Sequence, residues 1–183
     1  MEVSEGGGVP VLPDAGEKEC DMIAVRLVRL IEHHSDELTE GLLRKFETLP
    51  QTADLTKVPA HELRARSREI ICNLSEWLLS KSDADVQRRY REIGALRAAQ
   101  DVSLAHVCWG IALTKEHIWN FLQSEGFLRG PLEIYGEMEL LRMLDQFFDR
   151  AICYCVEGYE EARLKVPSSV PVRSRHVPAV SAS

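Results

Sequence analysis

The amino-acid sequence predicts an all-α protein, a bundle of about five main helices with disordered tails. Apolar residues recur every three or four positions along five stretches of the chain, which is the spacing of one face of a helix. No stretch alternates apolar and polar residues as a half-buried strand does. Proline, glycine and capping residues separate the stretches, so the helix boundaries can be placed from the sequence.

The composition indicates one globular domain with two tails. Residues 1–17 and 166–183 are rich in Gly, Pro and Ser and have no helical period, which predicts a disordered N-terminal tail and a flexible C-terminal tail. The helical domain is therefore expected over 18–165. The formal net charge of -7 argues against a nucleic-acid partner, because domains that bind nucleic acid are normally basic.

No feature of the sequence points to export or to a membrane. The first residues lack the basic start and apolar core of a secretory signal, and no apolar stretch is long enough to span a bilayer. The 5 cysteines show no zinc-binding spacing and are expected to be reduced thiols. These observations predict a cytoplasmic protein.

The first predicted helix runs from about Glu17 to Leu49, where Pro50 ends it. Ser35 opens a capping sequence in its middle, so a break is expected near His34. Residues 50–59 are predicted to form a polar loop. The apolar stripe that would face the core consists of Ile23, Leu27, Leu30, Ile31, Leu38, Leu42 and Phe46.

The second predicted helix begins after Pro59, and the third begins at Ser82, whose side chain is a typical N-cap. Asp83 and Asp85 lie in the first turn of the third helix, where negative charge is favourable. The second helix carries the apolar positions Leu63, Ile70, Ile71, Leu74, Trp77 and Leu78, and the third carries Val86, Tyr90, Ile93 and Leu96.

The fourth predicted helix runs from Ser103 to the glycines Gly126 and Gly130. It is apolar round most of its circumference, which predicts that it is buried at the centre of the domain. The fifth runs from Pro131 to about Leu164, and short connections make helices three, four and five antiparallel neighbours. The stripe of the fifth helix is expected to consist of Ile134, Met138, Leu141, Phe148, Ile152, Cys155 and Tyr159.

No catalytic constellation is recognisable in these helices. The sequence lacks the Glu-x-x-His pairs of a di-iron bundle, the His-Glu-x-x-His of a zinc protease, the phosphate-binding P-loop and the Gly-x-Ser-x-Gly nucleophile elbow. The chain is therefore predicted to be a regulatory module rather than an enzyme, with no metal and no cofactor.

Two histidines and two tryptophans on the fourth predicted helix are candidates for a site. His106 and His117 lie close to three turns apart and share a face, so they form either a polar seam or the wall of a pocket. Trp109 and Trp119 are either core anchors or part of the lining of a small apolar cavity. The candidate ligand pocket consists of Tyr90, Arg97, His106, Trp109, His117 and Trp119.

The segment from Tyr90 to Leu104 precedes an apolar helix that contains Ile118-Trp119-Asn120-Phe121-Leu122. Over residues 20–163 this pattern resembles the N-terminal domain of RsbT co-antagonists of the RsbR type, the sensor subunits of stressosomes. The resemblance implies a globin-like, dimeric sensor domain without haem that acts through the protein partners of a signalling complex. A STAS domain usually follows in that family, whereas this sequence ends at Ser183, so it is either a free-standing sensor domain or one part of a longer system.

The resemblance also bears on haem. Haem-binding sensor globins carry a ligand histidine four residues before a glycine that leads into the next helix, and Arg97 and Asp101 stand at these places here. A guanidinium stays protonated and offers iron no lone pair. The alternative is a haem- or other cofactor-binding sensor that uses His106 or His117 as an unusual ligand.

The fourth and fifth predicted helices are expected to form a two-state element whose packing a ligand or a partner biases. The fifth helix is the expected output, since it is long and leads to the C-terminal tail. Helix packing, including packing between the subunits of a homodimer, is assigned to Ile134, Met138, Leu141 and Phe148. The sequence thus predicts a non-catalytic sensor domain of bacterial stress signalling.

Overall fold

Helices account for nearly all of the chain that the structure describes. The structure is a computed structural model, and it describes residues 15–125 and 131–165. In chain order the elements are α1 Ala15–His33, α2 Ser35–Thr48, a 3-10 helix Pro50–Lys57, α3 Ala60–Cys72, α4 Leu74–Leu79, α5 Asp83–Ala99, α6 Leu104–Ser124 and α7 Pro131–Lys165. The described residues contain no strand, so the all-α class is confirmed, whereas the globin-like arrangement stays a prediction.

The predicted tails fall mostly outside the described residues. Residues 15–17, assigned to the N-terminal tail, belong to α1, so this helix begins earlier than expected. Residues 1–14, the C-terminal tail 166–183 and the glycines Gly126 and Gly130 lie outside the described part of the chain. None of the described helices is long and apolar enough to cross a membrane.

Two boundaries that the sequence predicted are confirmed. The break near His34 separates α1 from α2. Ser82 caps α5, because its Oγ accepts a hydrogen bond from the Asp85 amide at 3.2 Å and the Asp85 carboxylate accepts one from the Ser82 amide at 3.2 Å. This reciprocal capping box satisfies amides that the first turn of a helix leaves free.

Two connections differ from the expectation. Residues 50–57 form the 3-10 helix rather than a polar loop, because Thr52 and Leu55 are buried and Thr52 Oγ1 donates a hydrogen bond to the carbonyl of Phe46 at 3.0 Å. The second predicted helix is divided at Asn73 into α3 and α4. Asn73 Nδ2 donates to the carbonyl of Glu69 at 2.9 Å, and such a bond competes with the backbone ladder of a helix.

The core face of α7 was predicted wrongly in the first half of the helix. Leu140 and Leu144 are fully buried there, whereas Ile134 and Met138 are 48% and 59% exposed. This half carries apolar residues on more than one side, so their spacing alone could not select the buried face. In the second half, the predicted Phe148 is buried.

α6 was predicted to be buried on nearly all sides, and it is not. Val107, Gly110 and Ile118 lie on its buried face, whereas Trp109 on the opposite side is 48% exposed. α6 therefore covers the core with one face. On α5, Leu96 was predicted to face inward but is exposed, and the neighbouring Arg97 is buried instead.

α5 and α7 form the most extensive helix pair, and they are parallel. Asp83 at the start of α5 accepts hydrogen bonds from Arg150 and Tyr154, and Asp101 after its end lies 3.5 Å from Arg163. α5 therefore packs mainly on α7 rather than on α6, its neighbour in sequence, which the prediction of antiparallel neighbours did not anticipate.

Two glycines allow this close contact between α5 and α7. A Cβ atom at Gly94 would lie 2.0 Å from the carbonyl oxygen of Cys155, and one at Gly158 would lie 2.1 Å from the carbonyl oxygen of Arg91. Each obstacle is backbone of the facing helix, which no side-chain rotation can move. Contact at this distance therefore requires glycine on both helices.

The junction between α5 and α6 is fixed from several sides. Asp101 adopts a left-handed conformation with φ 55°, and the Val102 amide donates to the carbonyl of Arg97 at 3.1 Å, as in a helix-ending Schellman motif. Tyr159 Oη donates to the Val102 carbonyl at 2.8 Å, and the Ser103 amide donates to the Asp54 carboxylate at 3.0 Å. These bonds set the position of Arg97 at the end of α5.

Candidate functional site

A cavity of about 70 Å³ lies between α3, α5 and α6. Its wall is mostly apolar carbon, and a smaller recess of about 10 Å³ adjoins it on the side of α3 and α5. The apolar lining of the cavity includes Leu63, Ile70, Ile93, Val107, Ile111 and Phe148, and the polar lining consists of Arg66, Ser67, Tyr90, Arg97 and Thr114. The Thr114 hydroxyl already donates to the Gly110 carbonyl at 2.8 Å.

Tyr90 brings a buried hydroxyl to this cavity. Its side chain is only 1% exposed, and its ring packs edge-on against Phe147 and Trp77, with centroids 5.8 and 6.4 Å away. The hydroxyl has no hydrogen-bond partner among the described residues. Burial raises the pKa of Tyr90 far above its ordinary value, so the group stays a neutral donor and acceptor.

Arg66 brings a second unpaired donor to the cavity and its recess. Its Nε is buried and has no partner among the described residues. Its Nη1 donates to Glu69 Oε2 at 2.8 Å, and Arg89 Nη2 donates to the same oxygen at 2.5 Å. Burial raises the pKa of Glu69 although the charge of Arg66 opposes this shift.

Arg97 lines the cavity as half of a buried ion pair. Its Nη1 lies 2.6 Å from Glu62 Oε1 and 2.6 Å from Gln100 Oε1, while Gln100 Nε2 donates to Glu62 Oε2 at 2.9 Å. Burial raises the pKa of Glu62, but the hydrogen bond and charge of Arg97 and the hydrogen bond from Gln100 prevail and lower it. Arg97 Nη1, both carboxylate oxygens of Glu62 and the amide of Gln100 are engaged with one another, which fixes the position of the Arg97 side chain.

The structure brings two of the six candidate pocket residues, Tyr90 and Arg97, to the cavity, while the other four line neither the cavity nor its recess. His106 Nδ1 accepts a hydrogen bond from the Asp54 amide at 3.0 Å, and His117 Nε2 lies 3.0 Å from the Leu38 carbonyl. Trp109 is largely exposed, and Trp119 packs at the edge of the core.

The two histidines do not fit the haem alternative. His106 Nδ1 accepts a hydrogen bond, whereas a metal-ligating imidazole normally donates from its second nitrogen. Burial, with the nearby charge of Lys45, lowers the pKa of His117, so the neutral ring donates its Nε2 hydrogen to Leu38. The cavity of about 70 Å³ is also far smaller than the several hundred Å³ that a large cofactor needs.

The described residues contain no group of three or more His, Cys, Asp or Glu side chains placed to hold a metal ion. Cys72, Cys108, Cys153 and Cys155 are free thiols, and burial raises the pKa of Cys155 to about 12. The side chain of Cys20 lies outside the described residues.

The four residues assigned to helix packing divide into two groups. Phe148 is fully buried in the core and Leu141 is half-buried, so both pack within the domain, and a role between subunits stays a prediction. Ile134 and Met138 are exposed, and the equally exposed Tyr135 lies beside them.

Sequence reasoning missed Arg66 as a site residue. The sequence offers only its spacing from Glu69, three residues on, which is typical of any exposed ion pair on a helix. That Arg66 Nε is buried and that Arg66 shares a cavity with Tyr90 depend on how α3 packs against α5, and no local pattern carries this information.

The unpaired hydroxyl of Tyr90 leads to a stability prediction. Tyr90→Phe should leave the free energy of unfolding unchanged or higher, because removing an unsatisfied buried group relieves its desolvation. Tyr159→Phe is the matched control: it removes the 2.8 Å bond to Val102 and should cost about 1 kcal/mol. Urea denaturation followed by circular dichroism measures both, and a Tyr90→Phe protein less stable than Tyr159→Phe would contradict the assignment.

Comparison with protein families completes these observations. The family model described as the RsbT co-antagonist protein rsbRD N-terminal domain matches residues 35–169. No curated protein and no solved structure matches the chain. The family match begins at the first residue of α2, includes every helix that lines the cavity, and covers well over half of the 183 residues. The chain therefore belongs to the family of RsbT co-antagonist rsbRD N-terminal domains, a family of regulatory signalling domains.

Proposed function

We propose that this chain is a non-catalytic, homodimeric sensor domain that takes part in the control of an RsbT-type partner in stress signalling. The family supports the regulatory role, since its members are described as co-antagonists of RsbT. The observation that carries the proposal is the exposed apolar cluster on the first turns of α7, made of Ile134, Tyr135 and Met138. Contiguous exposed apolar side chains of this kind mark protein–protein contacts.

α7 is the output element of the proposed mechanism. Its 35 residues extend about 50 Å at the rise of an α-helix, and it packs against α1, α4, α5 and α6. A change in the packing of α5 or α6 would therefore also change the packing of α7. The proposed contact surface lies at the N-terminal end of α7. An effector shifts such an element only if it binds its two arrangements with different affinity.

The dimer is tested by adding charge to the apolar cluster. We expect Ile134→Lys combined with Met138→Lys to weaken self-association about tenfold or more, because burying an unpaired ammonium is costly. Gln146→Lys, at a polar exposed position of the same helix, is the matched control. Size-exclusion chromatography with light scattering should give twice the 20.7 kDa chain mass for the wild type and the control.

A wild-type protein that stays monomeric at high micromolar concentration would overturn the dimer. A double variant that stays dimeric while the circular dichroism shows a native helix content would place the contact surface elsewhere.

The non-catalytic sensor is favoured over a haem sensor by the engaged histidines. On this proposal, adding haemin to the purified protein should give no saturable Soret band that depends on His106 or His117. A band lost in His117→Ala but kept in His33→Ala, an exposed histidine, would favour the cofactor-binding alternative.

A further inference from the structure

Two unpaired polar groups border the same small space. Tyr90 and Arg66 both line the cavity and its recess, and Tyr90 Oη and Arg66 Nε are each buried without a hydrogen-bond partner among the described residues. Such groups are rare in folded proteins because each loses its hydration without compensation. Two of them at one cavity indicate a missing partner.

The chemistry of the two groups defines that partner. An arginine Nε can only donate a hydrogen bond, whereas a protonated tyrosine hydroxyl can both donate and accept one. A partner that presents acceptor atoms to both, as the two oxygens of a carboxylate do, would satisfy both groups.

The local charge favours an anionic acceptor over a neutral one. Arg66 and Arg89 both pair with the carboxylate of Glu69 at the recess, and Arg89 also lies 3.7 Å from the exposed carboxylate of Glu92. The unpaired Nε of Arg66 therefore belongs to a cation that shares its counter-charge with a second arginine. Arg97 is neutralised by Glu62, which lies on α3 about one turn before Arg66. Hydrogen bonds between a cation and a carboxylate are about twice as strong as neutral ones.

The remaining lining limits the rest of the ligand. Ile93, Leu63 and Phe148 present apolar surface beyond the polar groups. A cavity of about 150 Å³ holds a benzene ring, so the roughly 70 Å³ available here suits a chain of about two to four carbons.

We propose that this cavity binds a short-chain aliphatic monocarboxylate, with the carboxylate at Tyr90 Oη and Arg66 Nε and the alkyl group against Ile93 and Phe148. A role of this ligand as an input signal rests on the proposed regulatory function. The bound ligand would hold α3 against α5 and would contact α7 through Phe148. Binding itself does not depend on that function.

Propionate is the probe that tests the proposal. Amide shifts in heteronuclear NMR spectra of the full chain are followed as sodium propionate is added at constant ionic strength. We expect a saturable response, with propionamide, its neutral isostere, binding about tenfold more weakly or worse. Tyr90→Phe and Arg66→Met should each weaken propionate binding about tenfold. Tyr154→Phe and Arg142→Met, on α7 and outside the lining of the cavity and its recess, should leave it unchanged.

Three results would overturn the ligand class: a response that does not saturate, equal binding of propionate and propionamide, or unchanged binding by Tyr90→Phe. Occupation of the cavity by water alone would give the first of these. Light scattering on the same samples separates the two proposals. A dimeric protein that shows no propionate binding would contradict only the ligand proposal. A monomeric protein whose propionate binding depends on Tyr90 would contradict only the dimer proposal.

Discussion

Gly94→Ala is expected to lower the free energy of unfolding by at least about 3 kcal/mol, because the new methyl group would meet the backbone of α7. The added Cβ would lie 2.0 Å from the carbonyl oxygen of Cys155 and 2.8 Å from the amide nitrogen of Tyr159. Neither atom can turn away, so the two helices must separate along their most extensive contact. Proteins of this size are stable by only about 5–15 kcal/mol, so the loss is a large part of the total.

The sign of the effect distinguishes packing from helix propensity. Alanine is favoured over glycine inside a helix by about 1 kcal/mol, so a glycine with free space around it would gain stability from the same change. Gly110→Ala on α6 is the matched control. Its Cβ would lie 3.0 Å from a terminal methyl of Leu55, a flexible side chain that can yield, and 4.0 Å from the ring of Phe46, which is an ordinary van der Waals contact. We expect its free energy of unfolding to stay within about 1 kcal/mol of the wild type.

Urea denaturation followed by circular dichroism measures both variants, and Gly158→Ala provides an independent check from the other helix. Because Gly94 and Gly158 serve the same contact, the double variant should cost less than the sum of the single ones. A Gly94→Ala protein with the urea midpoint of Gly110→Ala would show that α5 and α7 do not approach as closely as the structure places them.

The sequence predicts helices well where the signal is local. The break before Ser35 and the cap at Ser82 depend on a few adjacent residues, and both are found in the structure. Asn73 and the 3-10 helix were missed because their outcome depends on buried contacts, such as Thr52 with the carbonyl of Phe46, that form only in the folded domain. Local propensity decides little where packing overrides it.

The faces of the helices were harder to predict than their extents. Apolar residues crowd several sides of α6 and of the first half of α7, so a periodic pattern could not show that Trp109 and Met138 are exposed. The apolar pattern also could not show that Arg97 is buried, since a charged side chain is rarely buried unless it is paired. Its partner Glu62 is 35 residues away, on α3, and no pattern in the sequence links the two.

The ion pair of Arg97 and Glu62 gives the second prediction with a large effect. Glu62→Met should lower the free energy of unfolding by about 3–5 kcal/mol at neutral pH, because it leaves the guanidinium of Arg97 buried without a counter-charge. The Arg97 side chain is 4% exposed, whereas that of Glu62 is 23% exposed and can recover some hydration. Arg97→Met should therefore cost less than Glu62→Met.

The double variant Arg97→Met with Glu62→Met tests the cause of this cost. Replacing both charges by apolar groups of similar length removes the desolvation penalty together with the attraction, so the double variant should be more stable than Glu62→Met alone. Additive losses, or a larger loss in Arg97→Met than in Glu62→Met, would show that the cost comes from packing rather than from an unpaired buried charge.

The pH dependence of the same variants gives a separate check. The pKa of Glu62 is lower in the folded state than its unfolded value of about 4.3, so the stabilisation by the pair is complete above that pH and is lost as the pH falls through the folded-state pKa. The difference in stability between the wild type and Glu62→Gln should therefore be largest at neutral pH and shrink in acid. Glu161→Gln is the control for a carboxylate paired at the surface with Arg91, where the expected difference is small at every pH. If the gap between the wild type and Glu62→Gln stayed constant down to about pH 3, the carboxylate of Glu62 would not be the group that Arg97 holds ionised.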